Sequence, residues 1–291
     1  MTSTISPDIK GFFDPETYTI SYVVSDPESR ACAIIDPVLD FDMASGRSSY
    51  HSADLLVDYV NSNKLGLEWI LETHVHADHL SAAPYIQKEL GGKTAIGKHV
   101  TLIQDSFGRA FNEKEKSFPR NGSQFDRLLE DEEIIQIGNI NCRVIFTPGH
   151  TPACVTYVCG DAAFVGDTLF MPDYGSARCD FPGGNARELY RSIQKIYGLP
   201  DDTRLFMCHD YGPGGRDYVW ETTIREEKYD NIHINQQTSE DEFVKLREQR
   251  DKGLSMPKLI IPSIQVNMRG GHMPEPENNN KIYLKIPFNV I

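Results

Sequence analysis

The sequence predicts an α+β protein in which one sheet packs on another and helices cover the outside. Two observations carry this. Short strand-like runs arrive in groups, and helix-like stretches separate the groups rather than following every strand. The chain has 291 residues, 40% hydrophobic and 24% charged, enough for an ordinary globular core.

In order along the chain, Tyr18, Ile20 and Tyr22 alternate with Thr17, Thr19 and Ser21, the pattern of a strand with one wet face. Asp26-Pro27-Glu28 is a turn, and residues 31–35 return as a second strand ending at Asp36-Pro37, so the two form a hairpin. Residues 40–51 read as a polar loop. Ser52 is placed to cap a helix carrying Leu55, Leu56, Tyr59 and Val60 on one face and stopping near Gly66. Leu67-Glu68-Trp69-Ile70-Leu71 is a buried strand, and residues 79–90 are a helix ended by Gly91-Gly92. Residues 94–97 give a short strand, 99–111 a helix, and the charged, Gly- and Pro-punctuated stretch 112–133 a loop. Strands follow at 134–137, 142–146, 154–158 and 162–165. Residues 185–197 are helical and 204–208 a strand. Helices follow at 220–229 and 239–251, the last opened by Ser239-Glu240-Asp241-Glu242. From Pro257 the tail is rich in Pro and Asn, with one late apolar run at 282–286. No linker interrupts the chain before about residue 215. A single domain over residues 1–291 is expected, with 215–291 an extension packed on it.

The net charge is −13 with no Lys/Arg block, which excludes a nucleic-acid binder or nuclease, because phosphate contacts need a basic surface. Residues 1–7 lack the basic and apolar regions of a leader, and no apolar run reaches membrane-spanning length. The expectation is a cytoplasmic protein without membrane contact. The six cysteines, at 32, 142, 154, 159, 179 and 208, form no C-x-x-C and read as reduced thiols, mostly small buried hydrophobes.

The chemistry centres on Thr73-His74-Val75-His76-Ala77-Asp78-His79, directly after the strand at 67–71. His74 and His76 are two apart at a strand end, so their side chains point the same way. Asp78 and His79 approach the same point after the chain has left the strand. A lone buried His is usually a satisfied core residue, but imidazoles and carboxylates converging like this are what a divalent cation needs. Three further residues stand beyond strand ends: His150 in Thr147-Pro148-Gly149-His150-Thr151, Asp167 after Gly166, and His209 before Asp210-Tyr211. An Asp in such a place is by itself often a turn former.

Taken in this order, H-x-H-x-D-H, T-P-G-H-T, G-D and a late His, the chain resembles the metallo-β-lactamase superfamily over nearly all of residues 11–215. The resemblance implies an αββα sandwich, two mixed sheets flanked by helices, with the site at one edge between the sheets. In two-metal members one site takes His74, His76 and His150, the other takes Asp78, His79 and His209, and Asp167 bridges. The stretch from Met171 to Gly184, His209-Asp210-Tyr211 and Val266-Asn267-Met268-Arg269 narrow it further. They resemble the glutathione persulfide dioxygenases, most of all a bacterial branch labelled β-lactamase-like hydrolases. That likeness implies one Fe(II) per chain, held by His76, His150 and Asp167, with His74, Asp78, His79 and His209 around it orienting ligands and water. Two imidazoles and one carboxylate leave open positions on Fe(II), as in non-haem oxygenases. The implied reaction is oxidation of glutathione persulfide by O2 to sulfite and glutathione, in a homodimer or homotetramer.

By the same likeness Arg178 takes a glutathione carboxylate and Tyr211 a hydrogen bond near the sulfur. The plainer readings are that Arg178 pairs with Asp180 or Asp173 and that Tyr211 fills a loop. Cys179, beside Arg178, is either a thiol of lowered pKa or a plain buried one. Two rival functions stand beside the dioxygenase. One is a two-zinc thioester hydrolase of the glyoxalase II type, which uses the same seven positions. The other is a non-catalytic binding protein stabilised by its metal.

Overall fold

The computed structural model describes residues 5–290. Residues 1–4, which belong to the stretch read as free of a leader, lie outside the described residues, as does Ile291.

The chain opens with β1 (Asp8–Asp14), β2 (Thr19–Ser25) and β3 (Ala31–Ile35), an antiparallel meander. β1 was not expected from the sequence. β2 is buried along its whole length, not half-buried. Ile20, Tyr22 and Val24 face the second sheet, while Val23 lies under helices on the other side. Ser21, on that helix side, is tolerated because its hydroxyl donates to the Asp36 carbonyl at 2.7 Å.

A small hairpin, β4 (Val38–Asp42) and β5 (Arg47–Ser49), replaces most of the expected polar loop. Helix α1 (His51–Ser62) buries Leu56 and Val60 but leaves Leu55 47% exposed. Its cap position is Tyr50, and Ser52 sits inside the first turn, where its amide and hydroxyl donate to Asp40 at 3.0 and 2.6 Å. β6 (Gly66–Leu71) then pairs parallel to β3.

The helix expected from His79 begins only at α2 (Ala83–Leu90), because Leu80 and Ser81 first form β7 (Leu80–Ser81) against Leu39 and Val38. β8 (Lys93–Gly97), α3 (Val100–Ala110) and β9 (Arg127–Leu129) follow, the last inside the stretch read as loop. The second half brings β10 (Ile134–Ile137), β11 (Ile140–Phe146), β12 (Val155–Cys159), β13 (Ala162–Phe164), α4 (Ala186–Tyr197) and β14 (Arg204–Phe206). Next come β15 (Glu221–Thr223), at the head of an expected helix, and α5 (Ile224–Asp230). The chain then adds α6 (Glu240–Asp251) and α7 (Ile260–Asn267). α7 was hidden by Pro262, which stands in its first turn, where a missing N–H costs nothing.

Two six-stranded sheets result, ordered β1-β2-β3-β6-β8-β9 and β10-β11-β12-β13-β14-β15. Both are mixed, with parallel pairs at β3–β6–β8–β9 and β13–β14. Ile20, Tyr22, Leu71, Val144, Tyr157 and Phe164 fill the space between them. Helices α1 and α2 cover the outside of the first sheet, and α4 with α6 covers the second. This is the expected αββα sandwich. Helix α7 packs beside Ile96 and Ile103 through Ile260 and Ile264.

One expectation about cysteines is overturned. Cys142 and Cys159 stand directly opposite each other across β11 and β12 and are joined by a disulfide. Hairpin register, which composition does not reveal, brings them together. The other four cysteines are buried free thiols.

Candidate metal centre

The site lies where the two sheets meet at one edge. Backbone bonds stitch the seam there: Ile20 N–H to Cys208 O at 2.7 Å and Val155 N–H to Thr73 O at 2.9 Å. Two glycines shape the turns that carry ligands. Gly149 has φ +141, and a Cβ on it would lie 2.3 Å from the Leu189 backbone. Gly166 has φ +51, and its Cβ would lie 2.7 Å from the Thr73 side chain. His150 and Asp167 follow these turns directly.

Each imidazole is fixed by one ring nitrogen. His79 Nδ1 donates to Leu80 O at 3.1 Å, His150 Nδ1 to Arg178 O at 2.8 Å, and His209 Nδ1 to Tyr18 O at 3.2 Å. Thr73 gives its N–H and hydroxyl to the two carboxylate oxygens of Asp36, both at 2.7 Å. Its oxygen is therefore left to accept from His74 Nδ1 at 3.0 Å. His76 uses Nε2, which donates to Asp36 at 2.9 Å. The opposite nitrogens, His74 Nε2, His76 Nδ1, His79 Nε2 and His209 Nε2, are buried without a hydrogen-bond partner, and so is one oxygen of Asp167. Buried polar atoms are rarely orphaned, and a set of inward lone pairs is the donor set a metal ion requires. The residues fit such an ion.

The donors fall into groups whose ligand atoms lie within 4.8 Å of one another: His74, His150 and Asp167 in one, His76, Asp78 and His79 in another, and Asp167 with Cys208 and His209 in a third. The grouping departs from the expected one. His74, not His76, shares a point with His150 and Asp167, because Asp36 draws the His76 ring to the other side. His209 bridges the remaining acids, with Nε2 at 3.2 Å from Asp78 and 3.4 Å from Asp167.

The electrostatics follow the geometry. Burial, then the neighbouring imidazoles, holds His74 well below its ordinary pKa; burial and His76 bring His79 down to about 3. Both keep free lone pairs at neutral pH. Burial opposes a charge on His76 and on His209, but carboxylates outweigh it, Asp36 for His76 and Asp78 with Asp167 for His209, and both rise well above the ordinary value.

Asp36 was not singled out in the sequence, although a carboxylate just past a strand end is the same cue that marked Asp167. Arg216 was also missed. It grips Asp210 through two bonds at 2.6 and 2.8 Å and Asp173 through two more, fixing the loop that carries His209 and Tyr211.

Arg178 pairs with Asp180, the contact its plainer reading names. Its guanidinium is bidentate to Asp180 at 2.6 and 2.7 Å, and its remaining arm donates to Ser255 O at 2.7 Å. The Arg178 carbonyl is the acceptor that orients His150. Tyr211 stacks on Tyr174 at 4.6 Å and on His209 at 5.9 Å. Burial, with Asp167 and Asp78 nearby, holds its phenol well above the ordinary pKa, so it is a hydroxyl at neutral pH. Cys179 is a plain buried thiol, pushed up by burial. A cavity of about 1350 Å³ joins Asp78, His150 and Asp167 to Tyr211, Arg178 and the start of the small hairpin.

The family model described as the metallo-beta-lactamase superfamily matches residues 15–209. The chain belongs to the metallo-beta-lactamase superfamily. Within that superfamily it is 54% identical over 293 residues to a probable metallo-hydrolase of Burkholderia pseudomallei, covering 97% of this chain and 99% of the relative. It is 30% identical over 271 residues to the mitochondrial persulfide dioxygenase ETHE1 of Bos taurus, covering 92% and 90%. The crystal structure of ETHE1 from Myxococcus xanthus superposes with a TM-score of 0.73 at 28% identity, over 91% of this chain and all of that one. As a metallo-beta-lactamase superfamily member the chain carries a metal-binding site in the seam between its sheets, with a cavity large enough for a peptide-sized substrate.

Proposed function

We propose that this protein is an iron-dependent dioxygenase that converts glutathione persulfide, O2 and water to glutathione and sulfite. The observation that carries the reading is the grouping of His74, His150 and Asp167, two imidazoles and one carboxylate on one side of a shared point. His74, His150 and Asp167 would hold Fe(II), which when bound would supply the redox chemistry that joins a sulfur to O2. The likeness to ETHE1 in sequence and in structure supports the same reading.

The chain's own groups bind and orient. Tyr211 lines the cavity, where its hydroxyl would offer a donor to the persulfide sulfur. Arg178 holds His150 through its carbonyl, and its guanidinium meets a peptide carboxylate only by giving up Ser255 or Asp180. Neutral His79 stands beside Asp78, and His209 Nε2 lies 3.2 Å from the same carboxylate.

A second reading has its own support. His79 Nε2 and His209 Nε2 are orphaned like His74 Nε2, and His209 Nε2 converges with Asp78 and Asp167, as a second cation would need. That arrangement fits a two-zinc thioester hydrolase. Metal analysis of protein purified without added metal, together with an oxygen electrode, separates the two. One iron per chain and O2 uptake with glutathione persulfide are expected. Two zincs, no O2 uptake and rapid hydrolysis of S-lactoylglutathione would reject the dioxygenase.

A further inference from the structure

The metal-ligand loop is held from outside the sandwich. Asn267, the last residue of α7, is 4% exposed and lies 186 or more residues beyond the loop it touches. Its amide nitrogen donates to His76 O at 2.9 Å and to His79 O at 2.7 Å. Its amide oxygen accepts from Ser81 N–H at 2.8 Å. Both N–H groups and the oxygen are thus spent on three backbone groups between positions 76 and 81.

We infer that Asn267 is a positioning residue that sets the inward direction of His76, Asp78 and His79, and so makes the C-terminal extension part of the metal centre. The inference rests on this loop binding metal, whichever of the two reactions follows. Only a primary amide at this reach satisfies the three groups. A carboxylate would set oxygen against two carbonyl oxygens, and Ala would leave three buried backbone groups unpaired. One residue further on, at the same C-terminal end of the helix, Gln104 Nε2 donates to Met268 O at 2.9 Å. That bond seats the extension without touching the loop.

The test uses the full chain stripped of metal and titrated with Co²⁺ alone, whose absorption bands report the ligand geometry. Asn267→Asp is expected to weaken Co²⁺ binding by about tenfold or more and to change the bands, as loss of groups that orient metal ligands does. The melting temperature of the metal-free form is read alongside. If Asn267→Asp does not fold, Asn267→Ala carries the test, because it removes the three bonds without adding a charge. Gln104→Ala is the control and is expected to lower the melting temperature while leaving the bands as they are. Unchanged Co²⁺ affinity and bands in a folded Asn267 variant would overturn the inference. Absence of either reaction in the unsubstituted protein would count against the proposed function only, since the titration does not involve turnover.

Discussion

At the scale of single residues, the structure divides the histidines into two kinds. His150 is held by a backbone carbonyl and faces Asp167 at 3.6 Å, but removing it leaves Asp167 beside His209 at 3.4 Å. His76 faces Asp36 at 2.9 Å and Glu72 at 3.5 Å, all three buried. Breaking a buried pair by deleting one partner costs about 3–5 kcal/mol. His76→Ala is therefore expected to destabilise the metal-free protein by roughly that amount in urea unfolding. His150→Ala is expected to strip the metal while shifting metal-free stability far less. Equal destabilisation by both would mean that Asp36 is satisfied without His76. The pattern that located these ligands was legible because each lies just past a strand end in a short motif. The contacts of Asp36, Arg216 and Asn267 were not, because the groups they hold are brought to them by the fold. Asp36 is a turn residue until Thr73 and His76 fold back onto it, and no spacing in the sequence announces that.

Elements were readable where their signals are local. Helix α6 has both halves of a capping box, Ser239 accepting from Glu242 N–H at 3.4 Å and Glu242 receiving the Ser239 N–H at 2.9 Å. Ser239→Ala is expected to cost about 1 kcal/mol, or ~2–4 °C in melting temperature for a domain of this size. An unchanged melting curve would show that packing on α4 alone holds the helix. Burial was harder to read than type. The alternation in β2 predicted a wet face, but in an αββα sandwich the outer face of a central strand lies under helices. Helix α7 and strand β7 were missed for a related reason, since each owes its form to a partner distant in sequence. β7 exists because Leu80 and Ser81 meet Leu39 and Val38, not because two residues of any kind favour a strand.

For the whole molecule, a buried imidazole outside the metal centre gives a pH dependence. His233 is 5% exposed, and burial, then the charges of Arg247 and Arg250, brings it down to about 3. The unfolded chain takes up that proton near pH 6.5, so between about 6.5 and 3 it binds more protons than the folded form. Stability is thus fully present above about 6.5 and falls with pH across that window. His233→Gln is expected to flatten this fall in metal-free protein, measured as unfolding free energy at several pH values. A slope identical to that of the unsubstituted chain would assign the acid sensitivity to other groups.

The seam between the sheets has a kinetic consequence. Its donors come from residues 74–79, 150, 167 and 209, which only the docked sandwich gathers. An unfolded chain cannot present them together, so an ion bound there is a ligand of the native state alone. Closing the loops between those segments comes before any reward from coordination. Saturating metal is therefore expected to slow unfolding in stopped-flow traces and leave the refolding rate nearly unchanged, since its contacts are absent from the transition state. Refolding accelerated in proportion to the ion's stabilisation would instead put the seam in the folding nucleus. On the expected course, the ion acts as a latch on a finished sandwich, and the protein's persistence under heat or protease depends on metal supply as much as on its core.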